Sequence, residues 1–177
     1  MSEKYLWVKK AAGIGCSELV MRFIAWSCLK DNTWKNGNVC IVCVPNERLA
    51  RRLIDERLKG MFYNIGITFD TEKKVLVLNG CHIETYAANN IDGMRSLTNV
   101  KYMFLDEADF WIGTNIQNYA IVVAERYIGK SDVSLVLAST PGKPDGLFSK
   151  IEEDQNSIYT KLFLPYTLGL GTIYDPI

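Results

Sequence analysis

Short apolar runs alternate with longer amphipathic segments along the chain, and this rhythm predicts its secondary structure. Continuous apolar runs are typical of strands buried on both faces, and we expect strands over residues 5–8, 39–44, 102–105, 133–138 and 159–164. The 3.6-residue periodicity predicts helices over residues 17–30, 45–59, 115–128 and 146–151. Strands that alternate with helices favour an α/β domain, with a mainly parallel sheet covered by helices on both faces.

Polar residues set the expected ends and faces of the first elements. The first strand is expected to stop where Lys9 and Lys10 begin, and Ser17 is expected to cap the first helix. Apolar residues surround most of that helix, so we expect it to be well buried. The second helix should point its apolar residues inward, and the basic side chains expected to face outward are Arg48, Arg51, Arg52 and Lys59.

One segment in the middle of the chain predicts a β-hairpin. Two apolar runs, 75–78 and 82–86, flank Asn79-Gly80, and an Asn-Gly pair between such runs is a strong local signal for a tight turn. Residues 87–100 are rich in small and polar residues, and we expect them to form a loop.

Composition places the chain among ordinary globular domains. It has 177 residues, 48% of them hydrophobic and 23% charged, and its formal net charge is zero. Residues 1–60 carry a net charge of +5 and residues 61–177 one of −5, so a basic surface is expected only in the first third. The sequence contains no apolar stretch of the roughly 20 residues that a membrane-spanning helix needs, which predicts a soluble, cytoplasmic protein without a membrane partner.

The cysteines are interpreted as buried thiols. Cys40 and Cys43 have the spacing of a zinc-binding pair, but they lie inside an apolar run that predicts a strand. A second pair is missing from the sequence, and His82 is its only histidine. We therefore expect reduced cysteines in the core and no zinc.

A glycine-bearing loop follows the first strand and precedes the first helix. A phosphate-binding loop needs small residues, a helix N-terminus, a cation and a hydroxyl for Mg²⁺. Gly13, Gly15 and Ser17 supply the small residues and the hydroxyl, whereas Cys16 occupies the position that usually holds lysine. Alone, this segment is a weak signal, and a simple glycine-rich turn between strand and helix is the plainer interpretation.

Polar residues also close two later strands. Asp106 and Glu107 follow an apolar run, as in a Walker B motif, where one carboxylate binds Mg²⁺ and the next activates water. Asp109, two residues on, is expected to cap a helix or lie on the surface. Ser139 and Thr140 follow another apolar run and are candidates for sensing the γ-phosphate, although a turn before proline is the plain alternative. Because ligands bind at the carboxyl ends of parallel strands, the three segments are expected to form one site.

Taken together, these segments resemble the ATPase domain of terminase large subunits, the DNA-packaging motors of tailed viruses. The resemblance rests on residues 10–17, on Leu-Asp-Glu-Ala at 105–108 and on Ala-Ser-Thr-Pro at 138–141. It extends to the strand and basic helix over 40–58, the loop over 91–95 and Gly-Leu-Phe at 146–148. The resemblance implies a three-layer P-loop NTPase fold of the RecA-like (ASCE) type.

The resemblance also implies a role for each residue of the candidate site. Many terminases have a Walker A motif whose lysine stands at its start, which assigns the phosphate-binding cation to Lys10, with Lys9 as the fallback. Asp106 and Ser17 would hold Mg²⁺, Glu107 would be the general base, and Arg95 would act in trans on a neighbouring subunit's ATP. The residues expected around ATP are Lys10, Ala11, Ala12, Gly13, Ile14, Gly15, Cys16, Ser17, Ser139 and Thr140.

At the level of the whole protein, the resemblance implies a single ATPase domain over residues 1–177, without the nuclease domain that the family carries at its C-terminus. Its implied partners are double-stranded DNA, further copies of the chain in a ring, a portal protein and a small terminase subunit. Two alternatives stay open. One is a fragment of a superfamily 2 helicase-like translocase, because residues 106–109 read Asp-Glu-Ala-Asp; the other is a degenerate, non-catalytic nucleotide-binding module.

Overall fold

A seven-stranded sheet forms the centre of the molecule. The computed structural model describes residues 3–43, 47–64, 66, 69, 75–111, 114–142 and 144–169. The strands are β1 (Tyr5–Lys10), β2 (Asn38–Cys43), β3 (Leu76–Leu78), β4 (Cys81–Ala87), β5 (Val100–Asp106), β6 (Ser134–Ser139) and β7 (Thr160–Leu164). They lie in the order β3-β4-β2-β5-β6-β1-β7, and only β3 is antiparallel to its neighbour. The predicted, mainly parallel sheet is confirmed.

Helices cover both faces of this sheet. They are α1 (Cys16–Lys30), α2 (Glu47–Arg52), α3 (Lys59–Tyr63), α4 (Thr114–Lys130) and α5 (Leu147–Glu153), with a π-helical segment, Leu53–Leu58, joining α2 to α3. Alternate residues of β1, β2, β5 and β6 enter separate cores: Trp7 packs in the core with α4 and α5, whereas Val8 packs in the core with α1 and the π-helical segment. The three-layer α/β architecture is therefore as predicted. None of the helices in the described part of the chain is long and apolar enough to cross a membrane.

Both ends of the first strand–helix unit differ from the prediction. β1 continues through Lys9 and Lys10, because parallel pairing with β6 and β7 extends the backbone ladder past the charged side chains. α1 begins at Cys16 after Gly15, and Ser17 makes no capping bond because its hydroxyl is used elsewhere. The helix is also less buried than expected, since Leu19, Trp26 and Leu29 are 67%, 59% and 48% exposed.

The second helical region contains an irregularity that the pattern did not predict. The π-helical segment has more residues per turn than an α-helix and rotates everything after it. Lys59 is therefore buried and paired with Asp55 at 2.7 Å, instead of facing outward. Arg48 and Arg52 are exposed and Arg51 is half-buried, closer to the prediction. Residues 44–46, where the helix was expected to start, lie outside the described residues.

The hairpin is confirmed, and the loop after it is more ordered than predicted. β3 and β4 pair antiparallel around Asn79 and Gly80, whose φ angles of 48° and 77° are those of a tight hairpin turn. Residues Ala88–Ser96 form 3-10 helical turns, because Ile91 and Met94 are buried against the core beneath α4.

Candidate functional site

The carboxyl ends of three adjacent strands bring the predicted polar segments together. β5, β6 and β1 are neighbours in the sheet and run parallel. Their register places Lys9 beside Ser139, and Ala138 beside Asp106. The loops that leave these strands therefore meet at one edge of the sheet, where ligands of open α/β folds bind.

Lys10 and Glu107 form an ion pair at this edge. The Lys10 side chain is 5% exposed, and its Nζ lies 2.5 Å from Glu107 Oε1. Glu107 has a left-handed backbone conformation, with φ of 50° and ψ of 41°, which turns the chain at the end of β5. Lys9 projects to the opposite side of the strand, where its Nζ donates to Glu152 at 2.7 Å. The structure thus brings Lys10 rather than Lys9 to the acidic pair.

Asp106 and Ser17 form the second contact of the site. The Ser17 hydroxyl lies 3.0 Å from Oδ1 and 2.9 Å from Oδ2 of Asp106, so it donates to the carboxylate. Burial raises the pKa of Asp106 and the Glu107 carboxylate adds to this, while the Ser17 hydrogen bond, Lys10 and Arg57 oppose it. The cause that dominates is desolvation of a carboxylate, which a bound cation would offset.

The loop between Lys10 and Cys16 turns at two glycines. Gly13 and Gly15 have φ angles of 72° and 82°, a region in which other residues are strained. Its first N–H, that of Ala11, donates to the Leu164 carbonyl at 2.9 Å and fixes the loop to β7. Ala12, Gly13 and Gly15 are exposed, so much of the loop is accessible. Ile14 is half-buried and packs against the core.

The Cys16 side chain is buried in the protein core and does not line the surface of the glycine loop. Its side chain is buried against the core beneath α1. Burial raises the pKa of its thiol to about 11, with Lys10 lowering it and the two carboxylates raising it further. At this position the protein therefore has a neutral, apolar group, and Lys10 is the ammonium beside the acidic pair.

Ser139 and Thr140 contact the other oxygen of Glu107. The Thr140 N–H donates to Glu107 Oε2 at 3.3 Å, and the Ser139 hydroxyl lies 3.3 Å from the same atom. Ser139 is fully buried, and its hydroxyl also accepts a hydrogen bond from the Asp109 N–H at 3.2 Å. The strand ends of β5 and β6 are thus joined through the Glu107 carboxylate.

Of the two roles predicted for Asp109, capping a helix agrees with the structure, because its side chain accepts a hydrogen bond from the first turn of α5. The other, a place on the surface, is wrong. Asp109 is 1% exposed, because the chain after β5 folds under the loop that follows β6. Its Oδ2 accepts from the Gly142 N–H at 2.6 Å, and its Oδ1 from the Phe148 N–H at 3.4 Å in the first turn of α5.

Arg95 lies apart from this cluster within the chain. Its Nε is 2.7 Å from Asp92 Oδ1, its Nη2 donates to the Tyr119 hydroxyl, and its guanidinium stacks 5.3 Å from the Tyr119 ring centre. The structure therefore holds Arg95 against α4, about half exposed, and not against Lys10 or Glu107 of the same chain.

Arg57 is a charged residue near the site that the sequence did not single out. It lies within the π-helical segment, and its charge lowers the pKa of Asp106. A polar cleft of about 400 Å³ next to the first turn of α1 is lined by Arg57 and Glu18 among others. The only sequence feature that pointed to Arg57 was the general basic character of the second helix. The π-helical turn that sets the direction of its side chain has no local sequence signal.

Solved structures of several ATPases have the same arrangement of strands and helices. The large terminase of a thermophilic bacteriophage matches with a TM-score of 0.70 and 15% identity, over 93% of this chain and 40% of that chain. The N-terminal domain of the DNA-packaging ATPase of bacteriophage phi29 matches with a TM-score of 0.65 and 15% identity, over 94% of this chain and 93% of that one. The fold is that of the RecA-like P-loop ATPases.

The P-loop ATPase fold is shared with proteins of other functions. Dbp5 of S. cerevisiae matches with a TM-score of 0.61 and 21% identity, over 91% of this chain and 44% of that chain. No protein-family model and no curated protein matches the sequence. The resemblance to terminases that the motifs indicate is confirmed as a structural similarity, and this chain spans about two fifths of the length of the thermophilic phage terminase, 40%.

Proposed function

We propose that this chain is the ATPase motor domain of a terminase large subunit, which hydrolyses ATP to move double-stranded DNA into a viral procapsid. The observation that carries the proposal is the meeting of Lys10, Ser17, Asp106 and Glu107 through contacts of 2.5–3.0 Å. An ammonium, a hydroxyl and two carboxylates beside a glycine loop are the groups that triphosphate hydrolysis requires. The similarity to phage packaging ATPases supports the same assignment.

In this proposal the Lys10–Glu107 ion pair is the resting state of the site. The phosphates of ATP accept hydrogen bonds from the loop N–H groups and attract the Lys10 ammonium away from Glu107. The released carboxylate then accepts a proton from the water that attacks the γ-phosphate. Ser139 and Thr140 already contact the same carboxylate, so a shift of Glu107 is passed to the end of β6.

Asp106 and Ser17 fit the requirements of a magnesium site. Mg²⁺ prefers oxygen ligands, and the hydroxyl and carboxylate lie 2.9 Å apart at the end of the loop. Desolvation of Asp106, which raises its pKa, makes a positive partner favourable there. When bound, the ion would neutralise charge on the phosphate oxygens.

Two further roles belong to the assembled motor. Arg95 is half exposed on the α4 side of the molecule, and we assign it to the ATP of a neighbouring subunit in a ring. The exposed arginines of α2 are candidates for contacts with DNA phosphates, which would be independent of base sequence and would weaken steeply with salt. A portal protein and a small terminase subunit complete the partners of this motor.

ATP hydrolysis by single variants tests the proposal. Glu107→Gln should lower turnover by roughly 10²–10⁴-fold through loss of the general base. Lys10→Ala should lower it at least tenfold, whereas Lys9→Ala, the matched control one residue away, should leave it unchanged because Lys9 pairs with Glu152. Loss with Glu107→Gln but not with Lys10→Ala would show that the phosphate-loop assignment is wrong. Hydrolysis that is unchanged in both variants would come from a contaminant and not from this site, and would support a non-catalytic module.

The similarity to Dbp5 favours a second candidate, a helicase-like translocase. Residues 106–109, Asp-Glu-Ala-Asp, agree with it, but Cys16 stands where such an enzyme has its phosphate-binding lysine. The two candidates differ in the nucleic acid that should stimulate hydrolysis. Stimulation by duplex DNA supports the packaging motor, and stimulation by single-stranded RNA alone supports the helicase-like protein.

A further inference from the structure

A second pocket lies at the edge of the sheet opposite the candidate nucleotide site. It has a volume of about 340 Å³ and is bordered by the C-terminal end of α1, the start of β6 and the first half of β5. Ser134 lines it, whereas Ser139, at the other end of the same strand, belongs to the nucleotide site. The pocket is therefore separate from the site of hydrolysis, and its size is that of a small-ligand site.

Four aromatic side chains form most of its wall. Phe23 lies 5.5 Å from Tyr102 and 6.0 Å from Trp34 between ring centres, and Trp34 lies 5.5 Å from Tyr102. Trp26 stacks on Phe23 at 6.5 Å and, being 59% exposed, stands at the mouth. The wall is therefore largely aromatic, and aromatic rings carry partial negative charge on their faces.

Tyr102 contributes its ring to the pocket and not its hydroxyl. The residue is 1% exposed, and its oxygen is fully buried, with no donor or acceptor within reach among the described residues. A ligand in the pocket would therefore contact the Tyr102 ring.

Two carboxylates complete the lining. Glu3 accepts a hydrogen bond from the Thr160 hydroxyl at 3.1 Å. Asp31 accepts one from the Thr33 hydroxyl at 2.7 Å and one from the Thr33 N–H at 2.9 Å, and these two bonds lower the pKa of Asp31. Neither lysine nor arginine occurs among the described residues that line the pocket. The charged groups of the lining are therefore both acidic, and the charge of Lys101 acts on Asp31 from outside the lining.

We propose that this pocket binds an organic cation that carries an alkylammonium or guanidinium group. Cations are attracted to the faces of tryptophan and tyrosine, most strongly where water is excluded. A neutral apolar ligand would gain nothing from Glu3 and Asp31, and an anion would be repelled by them. The assignment does not depend on ATP hydrolysis, because no residue is shared between the two sites.

Titration of the whole chain with three probes tests the assignment, and the neutral probe matches tetramethylammonium in size. The probes are tetramethylammonium, N-acetylarginine methylamide and the neutral neopentyl alcohol, followed by the NMR signal of the Trp26 indole. Both cations should bind with dissociation constants on the order of millimolar, and the alcohol at least tenfold more weakly. Tighter binding of tetramethylammonium would indicate a free quaternary ammonium as the source, and tighter binding of the arginine derivative a side chain of a polypeptide.

Variants separate the pocket from general surface binding. Trp26→Ala should weaken both cations by roughly fivefold to tenfold, with binding then followed at the Trp34 indole. Leu19→Ala, an exposed position of the same helix outside the pocket, should not change the affinity. Tyr102→Phe keeps the ring in the wall and removes only a hydroxyl that is fully covered, so it should leave the affinity for both cations unchanged. Equal binding of the neutral alcohol, or cation binding unaffected by Trp26→Ala, would overturn the proposal.

Discussion

The ion pair between Lys10 and Glu107 makes a prediction about stability that does not need an activity assay. Glu107→Gln leaves the Lys10 ammonium, 5% exposed, facing a neutral amide in place of a carboxylate 2.5 Å away. Removing one partner of a fully buried pair costs about 3–5 kcal/mol. Because the Glu107 side chain is 33% exposed, solvent screens the pair, and we expect a smaller loss of about 1–2 kcal/mol.

Thermal unfolding measures this loss directly. For a chain of this size, about 1 kcal/mol shifts the melting temperature by roughly 2–4 °C, so Glu107→Gln should melt roughly 2–8 °C below the wild type. Glu152→Gln is the matched control, because it neutralises the exposed partner of Lys9 in an ion pair of 2.7 Å. That variant should change the free energy of unfolding by at most about 1 kcal/mol.

ATP should narrow the difference in stability between the two proteins. In the wild type, phosphate must compete with Glu107 for Lys10, whereas in Glu107→Gln the ammonium has no competing carboxylate and ATP is not hydrolysed. Ligand at about 100 times its dissociation constant adds about 2.7 kcal/mol of stability, and this gain should be larger in the variant. A variant that melts with the wild type in the absence of ATP, or gains no more from ATP than the wild type does, would refute this account of the ion pair.

Three other residues give predictions with independent assays. Arg95→Ala should reduce hydrolysis. Mixing Arg95→Ala subunits with Glu107→Gln subunits should restore part of the activity, because one kind of mixed interface joins an intact Glu107 to an intact Arg95. Failure of the mixture to regain activity would contradict action in trans. Asp106→Asn should stabilise the nucleotide-free protein near neutral pH. Burial raises the pKa of the Asp106 carboxyl above its ordinary 3.8, so ionisation of this carboxyl lowers the free energy of unfolding as the pH rises from acid to neutral. The difference in melting temperature should therefore disappear in acid, and its persistence there would contradict the cause given. The Cys16 thiol, with a pKa of about 11, should stay protonated and resist iodoacetamide until the protein unfolds, which mass spectrometry of labelled peptides can measure.

The strands and their polar ends could be predicted because their signals are local. The apolar run before Asp106 and the one before Ser139 each identify a buried strand and the point where it ends. Parallel pairing then places those ends together without further information. The alternation along β1 also separates Lys10 from Lys9, once the strand is known to continue through both.

The side-chain environment of the second helical region could not be predicted in the same way. A periodic pattern assumes a constant number of residues per turn, and the π-helical segment Leu53–Leu58 breaks that assumption. Lys59 consequently turns inward, and Arg57 approaches Asp106. The burial of Asp109 depends likewise on a loop more than 30 residues away, Gly142. Packing between segments that are distant in the sequence determines such side-chain environments, and no local sequence pattern indicates that packing.

The hydrogen bonds of Asp109 have a consequence for how a displacement of Glu107 is transmitted through the fold. One carboxylate holds both the loop after β6, at Gly142, and the first turn of α5, at Phe148, while the Asp109 carbonyl accepts a hydrogen bond from Gln117 of α4 at 3.0 Å. These segments are tethered to a single buried residue two positions beyond Glu107. A displacement of the Glu107 backbone would therefore be passed through Asp109 to α4 and α5 at the same time.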